Sequence, residues 1–268
     1  MLTEKHKLMD EVEALPTWWH SIDLGYGIVT PGRKSRTYLQ QELAALRLPD
    51  LHGQTVLDVG AWDGFYSFEA ERRGASRVVA LDHFVWSIHW ASLHRYKSEV
   101  SGRPLAPGAF RRLPGVWQPD ALPGQAGFRL AHRVLGSRVE VVVADLMTAD
   151  LNALGAFDVV LYLGVLYHVE NPLAALRRVA AVTRRVAVIE TNATVFPGLE
   201  HRSVCEFYEA DELSNDATNW WGPNWRALVG LCRAAGFRHV ETIQGPPDVK
   251  GLPAGEVAHY RAIVHAWK

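Results

Sequence analysis

Cysteine is nearly absent from this chain. Cys205 and Cys232 are the only two among 268 residues, too few and too far apart for a disulfide framework or a thiolate metal site, and that scarcity suits a reducing compartment. Long apolar runs are missing as well. None approaches the roughly 18 residues that a membrane span needs. The opening MLTEKHKLMDEVEALP is charged and helical in pattern, with no apolar stretch of the secretory kind. The expectation is a cytoplasmic chain with no membrane partner. An excess of one charge sign is also lacking: the formal net charge is −1, so no broad field draws nucleic acid or anionic lipid. The pairs Arg177/Arg178 and Arg184/Arg185 read as a solvated helix face and end. There are no internal repeats and no low-complexity tracts.

What is present is an ordinary globular composition, 48% hydrophobic and 21% charged, enough for a packed core. Tryptophan stands out with ten residues, several in groups: Trp18 and Trp19, Trp86 and Trp90, then Trp220, Trp221 and Trp225. Indoles so grouped line cavities or fill cores.

From residue 54 onward, strand and helix patterns alternate. TVLDVG, RVVALD, RVEVVVADL, FDVVLYLGV and RRVAVIET read as buried strands. GFYSFEAERRG, PLAALRRVAAVT and NWRALVGLCRAAGF read as helices. HVETIQ and YRAIVHAW close the chain as two strands with no helix between them. The pattern predicts an α/β fold: a doubly wound, Rossmann-like, seven-stranded sheet, mostly parallel with an antiparallel edge strand. Residues 1–50 form an expected N-terminal helical cap or lid, and residues 51–268 the main domain. Two insertions, 83–137 and 192–222, exceed ordinary crossovers and should sit near the carboxyl edge of the sheet, where α/β folds bind ligands.

The stretch LDVGAWDGFYSFEAERRGASRVVALD places a glycine turn between a strand and a helix. Gly60 and Gly64 allow a tight turn and close approach to a ligand. Asp82 ends the next strand 18 residues beyond Gly64, a spacing that suits a carboxylate receiving ribose hydroxyls. The loop order Asp58-Val59-Gly60-Ala61-Trp62-Asp63-Gly64 is not the dinucleotide fingerprint. Its acids would repel a pyrophosphate and welcome a cation.

This arrangement resembles class I S-adenosylmethionine (SAM)-dependent methyltransferases, from about residue 54 to the end. Their first motif, acid-x-Gly-x-Gly-x-Gly, is matched at Asp58, Gly60 and Gly64, with Trp62 in place of the middle glycine. The resemblance implies SAM as cofactor, S-adenosylhomocysteine (SAH) as product and no required metal. It implies a cofactor loop of Asp58, Gly60, Ala61, Trp62, Asp63 and Gly64. Asp82 would hold the ribose with His83 beside it, Asp145 and Leu146 in VVVADLMT would meet the adenine, and Leu163 would flank the site. On the residues alone, Asp145 also reads as a helix N-cap. His83, His89 and His94 do not converge on one helix face, so they make no three-ligand metal site.

FDVVLYLGVLYHVENPLAALRRV is similar to the branch related to tRNA wobble-uridine carboxymethyltransferases, which carry the same Gly-Val-Leu-Tyr-His before a Pro-Leu helix. The resemblance implies that Tyr167 lines the cofactor and acceptor cavity. Val169 and Glu170 follow the histidine where that branch has basic residues, which favours plain SAM and a small-molecule acceptor over RNA. His168 reads two ways: a general base for an acceptor hydroxyl, or a cap for the helix starting near Pro172. Glu206 is the alternative base. Trp19, Glu190, Asn192, Tyr208, Asn219 and Trp221 are the expected acceptor contacts, because acids, amides and aromatics together suit a partly polar small molecule. The expected activity is O-methylation of a metabolite. A tRNA-modifying enzyme and a SAM-binding protein without turnover are the alternatives, and an NAD-dependent oxidoreductase is a weaker one.

Overall fold

The computed structural model describes residues 2–99, 105–249, 253 and 255–268. Met1 of the expected cap and residues 100–104 of the first expected insertion lie outside the described residues.

Five apolar runs form the parallel strands: β1 (Thr55–Val59), β2 (Arg77–Asp82), β3 (Glu140–Val143), β4 (Phe157–Leu163) and β5 (Thr183–Val195). A short two-stranded sheet of β6 (Cys205–Phe207) and β7 (Trp221–Pro223) follows, then β8 (His239–Gln244) and β9 (Ala258–Trp267). The large sheet has seven strands in the order β3-β2-β1-β4-β5-β9-β8. β9 is the antiparallel strand. It enters between β5 and β8, so the closing pair forms one edge of the sheet.

The central strands are buried on both faces, which is why their sequences are near-continuous hydrophobic runs rather than alternating ones. One face packs α6 (Pro172–Val182) and α7 (Trp225–Ala234) on Leu57, Val160, Ile189 and Val264. Each has an asparagine N-cap: Asn171 accepts from Ala174 N at 3.0 Å and Asn224 from Ala227 N at 2.9 Å. Pro172 fills the first position of α6, where its missing N–H costs nothing.

The opposite face is covered by α3 (Phe65–Arg72), α5 (Ala126–Leu135) and the N-terminal segment. That segment contains α1 (Leu2–Glu13) and α2 (Arg36–Leu46). Leu8, Val12, Trp18, Ile22 and Leu46 share one core with Val56, Ala80 and Val159 of the sheet. Burying an aliphatic side chain is worth about 1.5–3 kcal/mol. The first 50 residues therefore form part of the same packed body.

The first insertion supplies α4 (Trp90–Glu99) and the crossover helix α5. In the second, β5 runs on past the expected strand end to Val195. Its overhang pairs with β9, Asn192 against Arg261 and Thr194 against His259, and β6–β7 packs beside it. Residues 192–195 are strand rather than loop because β9 extends to meet them. Among the described residues no helix is long and apolar enough to cross a membrane.

Candidate active site

The loop after β1 turns through three left-handed residues, Gly60, Trp62 and Gly64, with φ of 79°, 50° and 89°. Glycine is required at the first and last. A Cβ on Gly60 would sit 2.5 Å from Val165 Cγ2, and one on Gly64 would sit 2.6 Å from Phe68 Cε2. Trp62 holds the same region at a cost of about 1–2 kcal/mol. Its surroundings explain how. The indole is sandwiched between Trp19 at 4.6 Å and Trp90 at 5.1 Å, each within 8° of parallel. The Trp62 backbone N–H donates to Asp82 Oδ2 at 3.0 Å, and the Trp62 backbone carbonyl accepts from Trp86 Nε1 at 2.6 Å. Stacks of this kind contribute about 0.5–1.5 kcal/mol each beyond burial, enough to offset the backbone strain.

Acids crowd this loop. Asp58 accepts from Ser67 Oγ at 2.6 Å, and burial pushes its carboxyl up to about 7, with the charges of Asp82 and Asp63 adding to the rise. Burial pushes Asp82 up to about 6 against the backbone N–H groups of Trp62 and Val85, which hold the charged form. Asp63 is engaged elsewhere. Its carboxylate accepts from Trp19 N at 2.8 Å and His20 N at 2.9 Å and pairs with His20 Nδ1. Sequence reasoning placed Asp63 on the cofactor, but it ties the N-terminal segment to the loop. Trp19, expected on the acceptor, lies on the same loop through Trp62. Ala61 is buried beneath it.

Beyond β2 and β3, His83 stands edge-on to Trp117 at 5.8 Å, His89 Nδ1 meets Ser92 Oγ at 2.7 Å and His94 packs beside Trp90. Asp145 is half-buried and accepts from Met147 N at 2.8 Å in an Asx turn, but it caps no helix: the next one, the short helix Leu151–Leu154, is capped by Asp150. Leu146 is buried in the core, and its carbonyl accepts from Arg178 Nε.

The other half of the site lies over β4, β5 and β9. Gly164, at φ 72°, opens the turn that carries Tyr167 and His168. The Arg261 guanidinium lies 4.9 Å over the Tyr167 ring and grips both oxygens of Glu190, Nη2 to Oε2 at 2.5 Å. Burial opposes the Arg261 charge, but the Glu190 carboxylate more than offsets it. Burial raises the Tyr167 hydroxyl above the ordinary phenol range. A cavity of about 160 Å³ opens here, lined by Tyr38, Glu42, Tyr66, Leu163, Glu190 and Arg261. Leu163 therefore lines this cavity.

His168 is not the helix cap, because Asn171 fills that role. The imidazole packs against Phe84 at 6.3 Å, and its Nδ1 meets Thr218 O at 3.1 Å and Thr218 Oγ1 at 2.8 Å. Burial lowers its affinity for a second proton, so the neutral ring prevails near pH 7. Asn192 Nδ2 donates to Tyr208 OH at 3.2 Å. Glu206 is not free as a base: Oε2 accepts from Thr194 Oγ1 at 2.9 Å and pairs with His259 Nε2 at 2.9 Å. Asn219 Nδ2 donates to Leu213 O at 2.9 Å, while its Oδ1 is buried without a partner. Trp221 stands beside the exposed Phe207, 5.0 Å between rings, and donates to Glu170 O at 3.1 Å. It belongs to the outer face of the β6–β7 sheet, away from Glu206 and Tyr208, because register partners share a face. Sequence reasoning missed Arg261, Thr218, Asp216 and His20. The one available signal was a charge inside YRAIVHAW, at a strand position facing the core.

An open sheet of this order, with an acid-lined loop after its first strand, defines a Rossmann-like class I methyltransferase, the SAM-dependent type. The methyltransferase-domain family profile matches residues 32–242, and the chain belongs to that family. Among curated proteins it is similar to the tRNA U34 carboxymethyltransferase of Pseudomonas syringae pv. tomato, 25% identical over 196 residues, 72% of this chain and 48% of that protein. The enzyme of the same name from Marinobacter nauticus is 25% identical over 199 residues, 74% of this chain and 48% of that one. The chain thus spans about half the length of the curated relatives it matches. Among solved structures, the N-terminal domain of EvdMO1, crystallised in the presence of SAH and D-fucose, superposes with a TM-score of 0.63 at 19% identity, over 98% of this chain and 96% of that one. That likeness is one of fold.

Proposed function

We propose that the chain transfers a methyl group from SAM to an oxygen of a small metabolite, with His168 taking the acceptor's proton, in the cytoplasm. The carrying observation is that Asn171 caps α6 and leaves the imidazole, neutral by burial, at the mouth of the β4 turn. The donor set fits the cofactor. Asp58 and Asp82 are buried with few cationic neighbours, and a bound sulfonium and ammonium would relieve both. Asp82 would receive the ribose, the Asp145–Leu146 turn the adenine, and Gly60 and Gly64 the close approach of the loop. SAM, when bound, supplies an electrophilic methyl and a neutral thioether leaving group.

The chain's own residues then align and deprotonate. Tyr167, held under Arg261, forms the wall between cofactor and acceptor. His168 accepts the hydroxyl proton, a contribution of about 10²–10⁴-fold. Residues 1–50 and the two insertions cover the site, with Asn192, Tyr208 and Asn219 facing the acceptor. Glu190 and Arg261 neutralise each other beside the cavity of about 160 Å³.

The curated relatives support a second reading, modification of tRNA. Incubation with methyl-labelled SAM and cell extract, followed by separation of RNA from low-mass material, decides between them. Label in a small molecule is expected. Label confined to RNA would replace this reading with the second. Intact SAM binding with no label in either fraction would leave a binding protein.

A further inference from the structure

We propose that Thr218 and Asp216 are positioning residues that lock His168 in the tautomer with its proton on Nδ1 and an open lone pair on Nε2. The inference deepens the reading of His168 as base and rests on it.

Hydrogen-bond polarity carries the argument. Thr218 Oγ1 lies 2.8 Å from Asp216 Oδ1, and Thr218 N donates to the same oxygen at 3.1 Å. A carboxylate only accepts, so the single hydroxyl proton of Thr218 is committed to Asp216. The hydroxyl oxygen then faces His168 Nδ1 at 2.8 Å with lone pairs only. The second group on Nδ1, the Thr218 carbonyl at 3.1 Å, is also purely an acceptor. Two acceptors around one ring nitrogen require a proton on it. In a neutral imidazole the other nitrogen is then bare. No hydrogen bond to His168 Nε2 is present among the described residues, so the lone pair is left for an acceptor hydroxyl.

The arrangement has the roles of a carboxylate–orienter–base chain, with a hydroxyl between the acid and the imidazole. When the acceptor hydroxyl gives its proton to Nε2, the ring becomes an imidazolium. Its Nδ1–H is already directed at Thr218, and the Asp216 charge beyond partly offsets the one gained. Arg261 is the opposing charge near the ring. The relay joins the turn after β4 to the segment before β7, 50 residues apart in the chain. It also explains why a histidine that caps nothing is held so firmly.

Nitrogen-15 NMR of the full chain labelled at histidine tests this without knowledge of the acceptor. The His168→Gln spectrum assigns the signal among the twelve histidines. The expected result is an Nδ1–H tautomer for wild type and for Thr218→Ser, and a partial loss of it in Thr218→Val, where the Thr218 backbone carbonyl is the acceptor left on Nδ1. Asp216→Asn should loosen the preference, because an amide can donate back to the hydroxyl. In labelled-SAM turnover, Thr218→Val should lose about tenfold or more in kcat with little change in the KM for SAM, and Thr218→Ser should recover most of it. A wild-type Nε2–H tautomer overturns the relay, and an unchanged tautomer together with full turnover in Thr218→Val overturns the part given to the hydroxyl and Asp216. Full turnover in His168→Gln with the expected tautomer would instead overturn the reading of His168 as base, so the two failures are separable.

Discussion

The two halves of the site differ in how far apart their parts lie in the chain. On the cofactor side, the bonds from the loop to its own strand, helix and the next strand span short distances: Ser67 to Asp58 over 9 residues, Trp62 to Asp82 over 20 and Trp86 to Trp62 over 24. Asp63 alone reaches back 43 and 44 residues, to His20 and Trp19. On the acceptor side three bonds are long, His168 to Thr218 over 50, His259 to Glu206 over 53 and Arg261 to Glu190 over 71, beside shorter ones within the second insertion. The halves differ in charge as well. The loop concentrates buried acids with few cationic partners, whereas the acceptor side pairs its acid with an arginine. On the proposed reading the first waits for a cation, and the second for a neutral guest whose proton can be taken. A local motif can define cofactor chemistry, while acceptor choice is dispersed over strands that meet only in the folded sheet.

The largest test of this division strikes the acceptor side alone. His168→Gln should lower turnover of the labelled acceptor by about a hundredfold or more while SAM affinity stays within a few-fold. A comparable loss of SAM binding would mean the halves are one unit. The reverse test is Asp82→Asn, which removes an ionised acceptor of ribose hydroxyls and should weaken SAM binding by roughly 10–100-fold in a calorimetric titration. Turnover at saturating SAM should then recover, since the acceptor side is untouched. Recovery well below half would break the comparison.

The smallest effect sharpens it. The Asp58 carboxyl, raised to about 7 by burial, binds a proton more tightly in the folded chain than in the unfolded one. Its contribution is therefore fully present at low pH and is lost as pH rises through about 7. Asp58→Asn should gain a few degrees in Tm over wild type at pH 8. The gain should shrink as pH falls toward 5, measured by calorimetry in the absence of cofactor. Stability is here set against the readiness of the loop to receive a positive ligand. A difference independent of pH would show that folding does not raise the Asp58 pKa.

Legibility in the sequence follows the same division. The strands, the acid at the end of β2 and the glycine loop were readable because each depends on neighbours within a few turns of chain. The placement of the closing β-pair at the sheet edge was readable too. The bonds of Asp63 to Trp19 and His20 were not readable, because they join parts of the chain 44 and 43 residues apart. The β5 overhang at residues 192–195 reads as loop until β9 is laid against it. The question over His168 had a local answer: Asn171 before Pro172 is an N-cap signal in its own right, and it leaves the histidine without capping work. Arg261 offered only an anomalous charge in an apolar strand, and nothing near it in the chain pointed to Glu190 or Tyr167.

The stacked indoles have a mechanical consequence. Trp62 is the middle plate between a residue of the N-terminal segment and the first residue of α4, so the loop wears two covers on opposite faces. They do not detach equally. Lifting Trp19 also breaks the two backbone bonds and the His20 contact on Asp63, whereas lifting Trp90 breaks an aromatic face and frees an indole N–H that has no partner to lose. Among the described residues the loop is therefore tied more firmly to the N-terminal segment than to α4, through polar bonds on one face and a ring contact alone on the other.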